Sequence, residues 1–108
     1  ETADLVNDAK SKKYHVCAVG TTVIRTLESA TTVTGLLKPY DGWTNKFIFP
    51  PYEFKIPSAM ITNFHLPKSI PLMSACAFGG FKKTMKAYSE AIKEGYKFGT
   101  YGDAMLII

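Results

Sequence analysis

Cysteine is scarce in this chain. Only Cys17 and Cys76 occur in 108 residues, far apart, with no CxxC pair and no Cys/His spacing. That excludes a disulfide framework and the usual zinc motifs, and the expectation is two buried thiols in a reducing cytoplasm. Long hydrophobic runs are also missing. Nothing approaches the roughly eighteen apolar residues of a bilayer crossing, and no charged-then-apolar leader is seen, so a soluble protein is expected. Neither GxGxxG nor GxxxxGK[ST] is present, which removes the usual signatures of a dinucleotide or phosphate cradle. There is no internal repeat and no low-complexity segment. Charged residues are 20% of the chain, yet 46% hydrophobic and 13% aromatic residues favour a packed core over disorder. The net charge of +4 admits a polyanion partner, but many soluble domains are equally basic.

The residues that are present alternate between helical and extended patterns. Positions 2–12 read as a helix with Leu5, Val6 and Ala9 on one face, and YHVCAVG (14–20) as a strand buried on both faces. Positions 21–30 form a second helix with Val23, Leu27 and Ala30 as its apolar stripe. Positions 31–45 read as a loop or irregular hairpin, followed by strands at 46–49, 52–56 and 59–64. A helix begins near Ser69, tolerates Pro71 in its first turn and ends at Gly79-Gly80. The next starts at Phe81, with Phe81, Met85, Tyr88 and Ile92 as its stripe and Gly95 as its stop, and YGDAMLII closes the chain as a turn and a buried strand. The expected fold is a single α/β domain over 1–108, with a mixed, largely parallel sheet flanked by helices.

Four places could carry chemistry. Gly20-Thr21-Thr22 opens a helix after a strand, where free N–H groups can meet a ligand, although capping by either threonine serves equally well. Arg25 and Glu28 are three apart on that helix. They can pair with each other, or the guanidinium can take a phosphate or carboxylate while Glu28 takes a sugar hydroxyl or a proton. TNFHLPKS (62–69) ends a strand with Asn63 and His65 on one side and Thr62 and Phe64 on the other, then brings Lys68 and Ser69 to the mouth of a helix. TYGDAML offers Tyr101 as a stacking ring and Asp103 as an acceptor, or simply an Asp-containing turn. Lys82, Lys83, Lys86 and Lys93 are by default a solvated helix face. Spacing alone leads to an α/β domain with a ligand site at its strand ends, with no reaction named.

Taken in order, AVGTTVIRTLESA, GWTNKFIFPPYEF, MITNFHLPKS and YKFGTYGDAMLI resemble the C-terminal part of the S-adenosylmethionine:tRNA ribosyltransferase-isomerase family of queuosine biosynthesis. The resemblance covers almost the whole chain. It implies part of the larger α/β domain of a two-domain enzyme, whose N-terminal part and inserted β-barrel domain lie outside these residues. It implies transfer of the ribosyl moiety of S-adenosylmethionine to a 7-aminomethyl-7-deazaguanine at the tRNA wobble position, giving epoxyqueuosine, with no cofactor or metal beyond that substrate. By the same resemblance His65, Arg25 and Glu28 would be catalytic, with His65 the proton shuttle. Gly20, Thr21, Thr22, Asn63, Phe64, Lys68, Ser69, Tyr101 and Asp103 would bind the adenosyl or deazaguanine parts, and Lys82, Lys83 and Lys86 the backbone of the anticodon stem-loop. Pro51, Asn45-Lys46, Ile70-Pro71 and Ser74 depart from the family pattern, the last two where the pocket would take its shape. A diverged non-catalytic module that binds RNA or an adenosyl ligand is the alternative.

Overall fold

The chain alternates helix and strand until two helices in direct succession precede the last strand. A computed structural model describes residues 1–108 as α1 (Thr2–Ser11), β1 (Cys17–Val19), α2 (Thr21–Ser29), β2 (Ala59–Asn63), α3 (Ile70–Gly79), α4 (Phe81–Lys93) and β3 (Ala104–Ile107). The strands form one sheet in the order β1–β2–β3. β1 runs parallel to β2, with Cys17 opposite Ala59 and Val19 opposite Ile61, and β3 runs antiparallel to β2, with Ile61 opposite Leu106 and Asn63 opposite Ala104. The fold is therefore α/β with a mixed sheet, one pair of each kind. No helix is long and apolar enough to cross a membrane.

Strand alternation assigns the two faces of the sheet. Ala18 and Met60 are fully enclosed against Ile24 and Ile48, with Phe54, Ala77, Phe78 and Ile107 packed around them. The opposite face carries the cross-strand row Val19–Ile61–Leu106, of which Val19 and Leu106 are 62% and 59% exposed. Cys17 shares that open face on an edge strand, so its thiol is exposed, contrary to expectation, and only Cys76 is buried.

Three helical stripes hold only in part: Val6 in α1, Leu27 and Ala30 in and just after α2, and Tyr88 in α4 pack inward as expected, and other members do not. In α1 the inward residue is Ala3, and Leu5 faces out. In α2 it is Ile24 that enters the core, and the neighbouring Val23 is largely exposed. In α4 the buried face is Thr84, Tyr88 and Ala91, whereas Phe81, Met85 and Ile92 are exposed. The strands expected at 46–49 and 52–56 do not form. Pro50-Pro51 interrupts the segment, and the Lys55 and Ile56 amides donate to the Glu28 carboxylate on α2 at 3.1 Å instead of to a neighbouring strand. The hairpin reading of 31–45 is retained as a single antiparallel bridge, Thr31 to Leu37. It is tied to α1 by the Asn7 side chain, which donates to the Leu37 carbonyl and accepts from its amide.

Candidate functional site

Because β1 and β2 are parallel, their carboxyl ends lie on one edge of the sheet, where α/β folds hold ligands. Gly20 turns the chain there. Its N–H donates to the Ile61 carbonyl at 2.7 Å, and its φ of +99° is one a Cβ would strain, so the entry from β1 into α2 depends on glycine. No side chain caps the start of α2, so neither Thr21 nor Thr22 fills that role.

Beyond β2 the chain makes a tight polar loop. The Thr62 hydroxyl and His65 Nε2 share a hydrogen bond of 2.7 Å, and the His65 backbone N–H donates to the Tyr88 hydroxyl at 2.9 Å. Phe64, expected against a ligand, is instead 3% exposed in an aromatic cluster with Tyr88, Tyr96 and Phe98. It anchors the loop from below. Ser69 caps α3, accepting from the Leu72 N–H at 3.4 Å and donating to the Leu66 carbonyl at 2.7 Å, and Pro71 sits in the first turn, where its missing N–H costs nothing. Lys68 takes a left-handed φ of 60° and points to solvent.

The third wall comes from the connection between α4 and β3. Asp103, expected to face a ligand, instead closes this loop on itself, its Oδ2 accepting from the Lys97 N–H at 2.6 Å and its own N–H donating to the Lys97 carbonyl at 2.8 Å. Gly102 is required by closeness, since a Cβ there would collide with the backbone of Lys97 and Phe98. The Gly99 N–H donates to the Phe64 carbonyl at 3.0 Å, and Asn63 Nδ2 donates to the Asp103 carbonyl at 3.3 Å. These bonds draw the loop over the end of β2.

The result is a cavity of about 240 Å³ lined by Asn63, His65, Leu66, Ser69, Pro71, Gly99 and Thr100. A second hollow of about 230 Å³, largely apolar and bounded by Leu72, Met85, Tyr88 and Phe98 among others, also includes His65, which thus borders both. No carboxylate or cation lines either one. Burial lowers the His65 pKa below its ordinary value, so the imidazole is neutral at pH 7, and burial raises that of Tyr88. A hollow of about 300 Å³ between α1, α2 and residues 37–40 is larger, but contains none of the candidate residues.

Asn63, His65 and Ser69 therefore line one cavity, and Lys68 does not. Gly20, Thr21 and Thr22 share their edge of the sheet without lining the cavity. Arg25 and Glu28 do not pair. Arg25 is exposed and donates to the Thr44 carbonyl at 3.3 Å. Glu28, expected to be catalytic, is 5% exposed and directed inward to the Lys55 and Ile56 amides. Its carboxylate, after burial, helps push the nearby Tyr52 phenol up to about 12. Tyr101 is fully exposed, and Lys82, Lys83 and Lys86 are exposed on the outer face of α4. Gly99 and Thr100 were absent from the sequence expectation, although the FGTYG turn marked their neighbourhood. No group of three or more His, Cys, Asp or Glu stands close enough to hold a metal ion.

A mixed α/β sheet with a cavity lined mainly by polar residues beyond the carboxyl ends of its parallel strands is the arrangement in which α/β domains hold ligands. Comparison with known proteins narrows this class: the family model described as "Queuosine biosynthesis protein" matches residues 1–107, and the chain belongs to that family. It is 58% identical over 108 residues to a Bacteroides fragilis protein named S-adenosylmethionine:tRNA ribosyltransferase-isomerase, covering all of this chain and 31% of that protein. A protein of the same name from Amoebophilus asiaticus is 59% identical over 107 residues, with 99% of this chain and 31% of that protein covered. The crystal structure of S-adenosylmethionine tRNA ribosyltransferase from Thermotoga maritima superposes with a TM-score of 0.90 at 44% identity, over 99% of this chain and 38% of that one. The chain thus spans about a third of the length of these relatives.

Proposed function

We propose that this chain is the C-terminal part of a longer transferase-isomerase, in which an N-terminal part and an inserted β-barrel domain complete the enzyme. In the cytoplasm it moves the ribosyl moiety of S-adenosylmethionine to the 7-aminomethyl-7-deazaguanine wobble base of tRNA, forming epoxyqueuosine. The observation that carries this reading is the gathering of Asn63, His65 and Ser69 around one cavity at the strand ends, in a chain that belongs to the queuosine biosynthesis family.

Each role follows from chemistry and placement. The Asn63 amide and the Ser69 and Thr100 hydroxyls suit the ring nitrogens and sugar hydroxyls of a nucleoside. His65, neutral and bordering the cavity, is the group that exchanges hydrogen bonds or protons with the reacting sugar. Arg25 holds only one carbonyl and keeps donors for a carboxylate or phosphate. Gly20, Thr21 and Thr22 offer the uncapped amides of α2 beside it. Tyr101 presents an open ring for a base, and Lys68, Lys82, Lys83 and Lys86 present charge to RNA phosphates. Glu28, held inside, supports this frame instead of transferring a proton.

Ribosyl transfer to substrate tRNA, assayed on the longer protein, tests the reading. His65→Ala should lower turnover by about a hundredfold or more while S-adenosylmethionine still binds. Wild-type turnover in that variant would sink the assignment. Replacing Lys82, Lys83 and Lys86 together should weaken tRNA binding and flatten its salt dependence, leaving S-adenosylmethionine affinity unchanged.

A further inference from the structure

His65 has two ring nitrogens in unlike settings. Nε2 meets the Thr62 hydroxyl at 2.7 Å. Nδ1 has no protein partner, yet no buried side-chain nitrogen or oxygen in the molecule lacks one, so Nδ1 is open to solvent. Thr62 itself is 4% exposed, and His65 Nε2 is the sole partner of its hydroxyl.

These facts decide where the protons sit. If Nε2 carried the hydrogen and donated it to Thr62, the threonine's own proton would be buried with no acceptor, which is unfavourable. If Thr62 donates to the lone pair of Nε2, both groups are satisfied and the ring hydrogen resides on Nδ1. The rest of the loop keeps the ring in place. The His65 N–H is fixed by the Tyr88 hydroxyl, and Phe64 is locked in the aromatic cluster beneath. The two residues are three apart, and both bonds hold the loop that leaves β2.

We propose that Thr62 is a positioning residue that fixes His65 in the Nδ1–H tautomer, so that His65 offers a hydrogen-bond donor to an acceptor atom of the bound nucleoside, a ring nitrogen or a sugar oxygen. A neutral ring held this way donates a hydrogen bond that polarises the acceptor without giving up its proton. It cannot serve as a base through Nδ1, because that nitrogen has no free lone pair. The proposal rests on the functional reading above and sharpens it, turning His65 from an unspecified proton shuttle into a donor.

The chain has two histidines, His15 and His65, so nitrogen-15 correlation spectra of the imidazole rings resolve the tautomers directly, with His15→Gln assigning the signals. The expected result is Nδ1–H at His65 in the wild type and in Thr62→Ser, and a shift toward Nε2–H in Thr62→Val. Nε2–H in the wild type overturns the proposal, as does an unchanged tautomer in folded Thr62→Val. Should Thr62→Val not fold, the wild-type and Thr62→Ser spectra still decide. In the longer protein Thr62→Val should lower kcat about tenfold to a hundredfold, with KM nearly unchanged and activity restored by Thr62→Ser. Undiminished kcat would remove the positioning role. The ring spectra need no turnover, so a protein without ribosyl transfer would discard the functional reading while leaving the tautomer to be judged separately.

Discussion

Tyr52 shows how one side chain reports its surroundings. Burial, then the neighbouring Glu28 carboxylate, raise its phenol from 10.0 to about 12. The folded state thus resists an ionisation that the unfolded chain undergoes near 10, and this stabilisation is fully present below pH 10 and is lost as pH rises toward 12. Thermal melts from pH 9 to 12 should fall more steeply for the wild type than for Tyr52→Phe, and parallel profiles would remove the effect. The candidate site was partly legible at the same scale. Asn63, His65 and Ser69 could be located because they follow an apolar strand and precede a helix cap. Gly99 and Thr100 could not, since a long-range bond from Gly99 to the Phe64 carbonyl is what carries them there. Glu28 looked catalytic for a similar reason. Its spacing from Arg25 is local, whereas its amide partners lie 27 and 28 residues away.

Among the elements, α3 owes its start to Ser69, which serves as cap and as cavity wall at once. The capping bond is long at 3.4 Å, so Ser69→Ala should cost about 0.5–1 kcal/mol, at the low end for a cap. For a chain of this size that lowers Tm by about 4–8 °C per kcal/mol, measurable by calorimetry. An unchanged melt would show that Pro71 alone sets the helix start. The order of helices and major strands was legible, because 3.6-residue and 2-residue periods leave distinct marks. Helix phase was legible only in part. Val23 and Ile24 are both apolar and adjacent, so only packing against Ala18, Ile48 and Met60 decides which one is enclosed. The segments at 46–49 and 52–56 have strand-like composition without a strand partner, and composition cannot report pairing.

At the scale of the molecule, the sheet has open edges at β1 and β3 and an open row at Val19, Ile61 and Leu106. Exposed apolar strands of this kind template association. Sedimentation velocity on the 108-residue chain should show self-association rising with concentration, and Val19→Lys should suppress it. A wild-type chain that stays monomeric throughout would overturn this. The Glu28 clasp has the opposite, internal consequence. One carboxylate joins the helix that opens at Gly20 to the backbone entering β2 just before His65's loop. This clasp predicts that α2 and the segment leading into β2 unfold as one cooperative unit. In hydrogen–deuterium exchange the Lys55 and Ile56 amides should be protected to the same degree as α2, and Glu28→Gln, which keeps one acceptor oxygen and turns the other into a donor, should speed exchange at the amide it unpairs and lower stability by about 1–3 kcal/mol. Fast exchange at these amides in the wild type would show that α2 and this segment open separately.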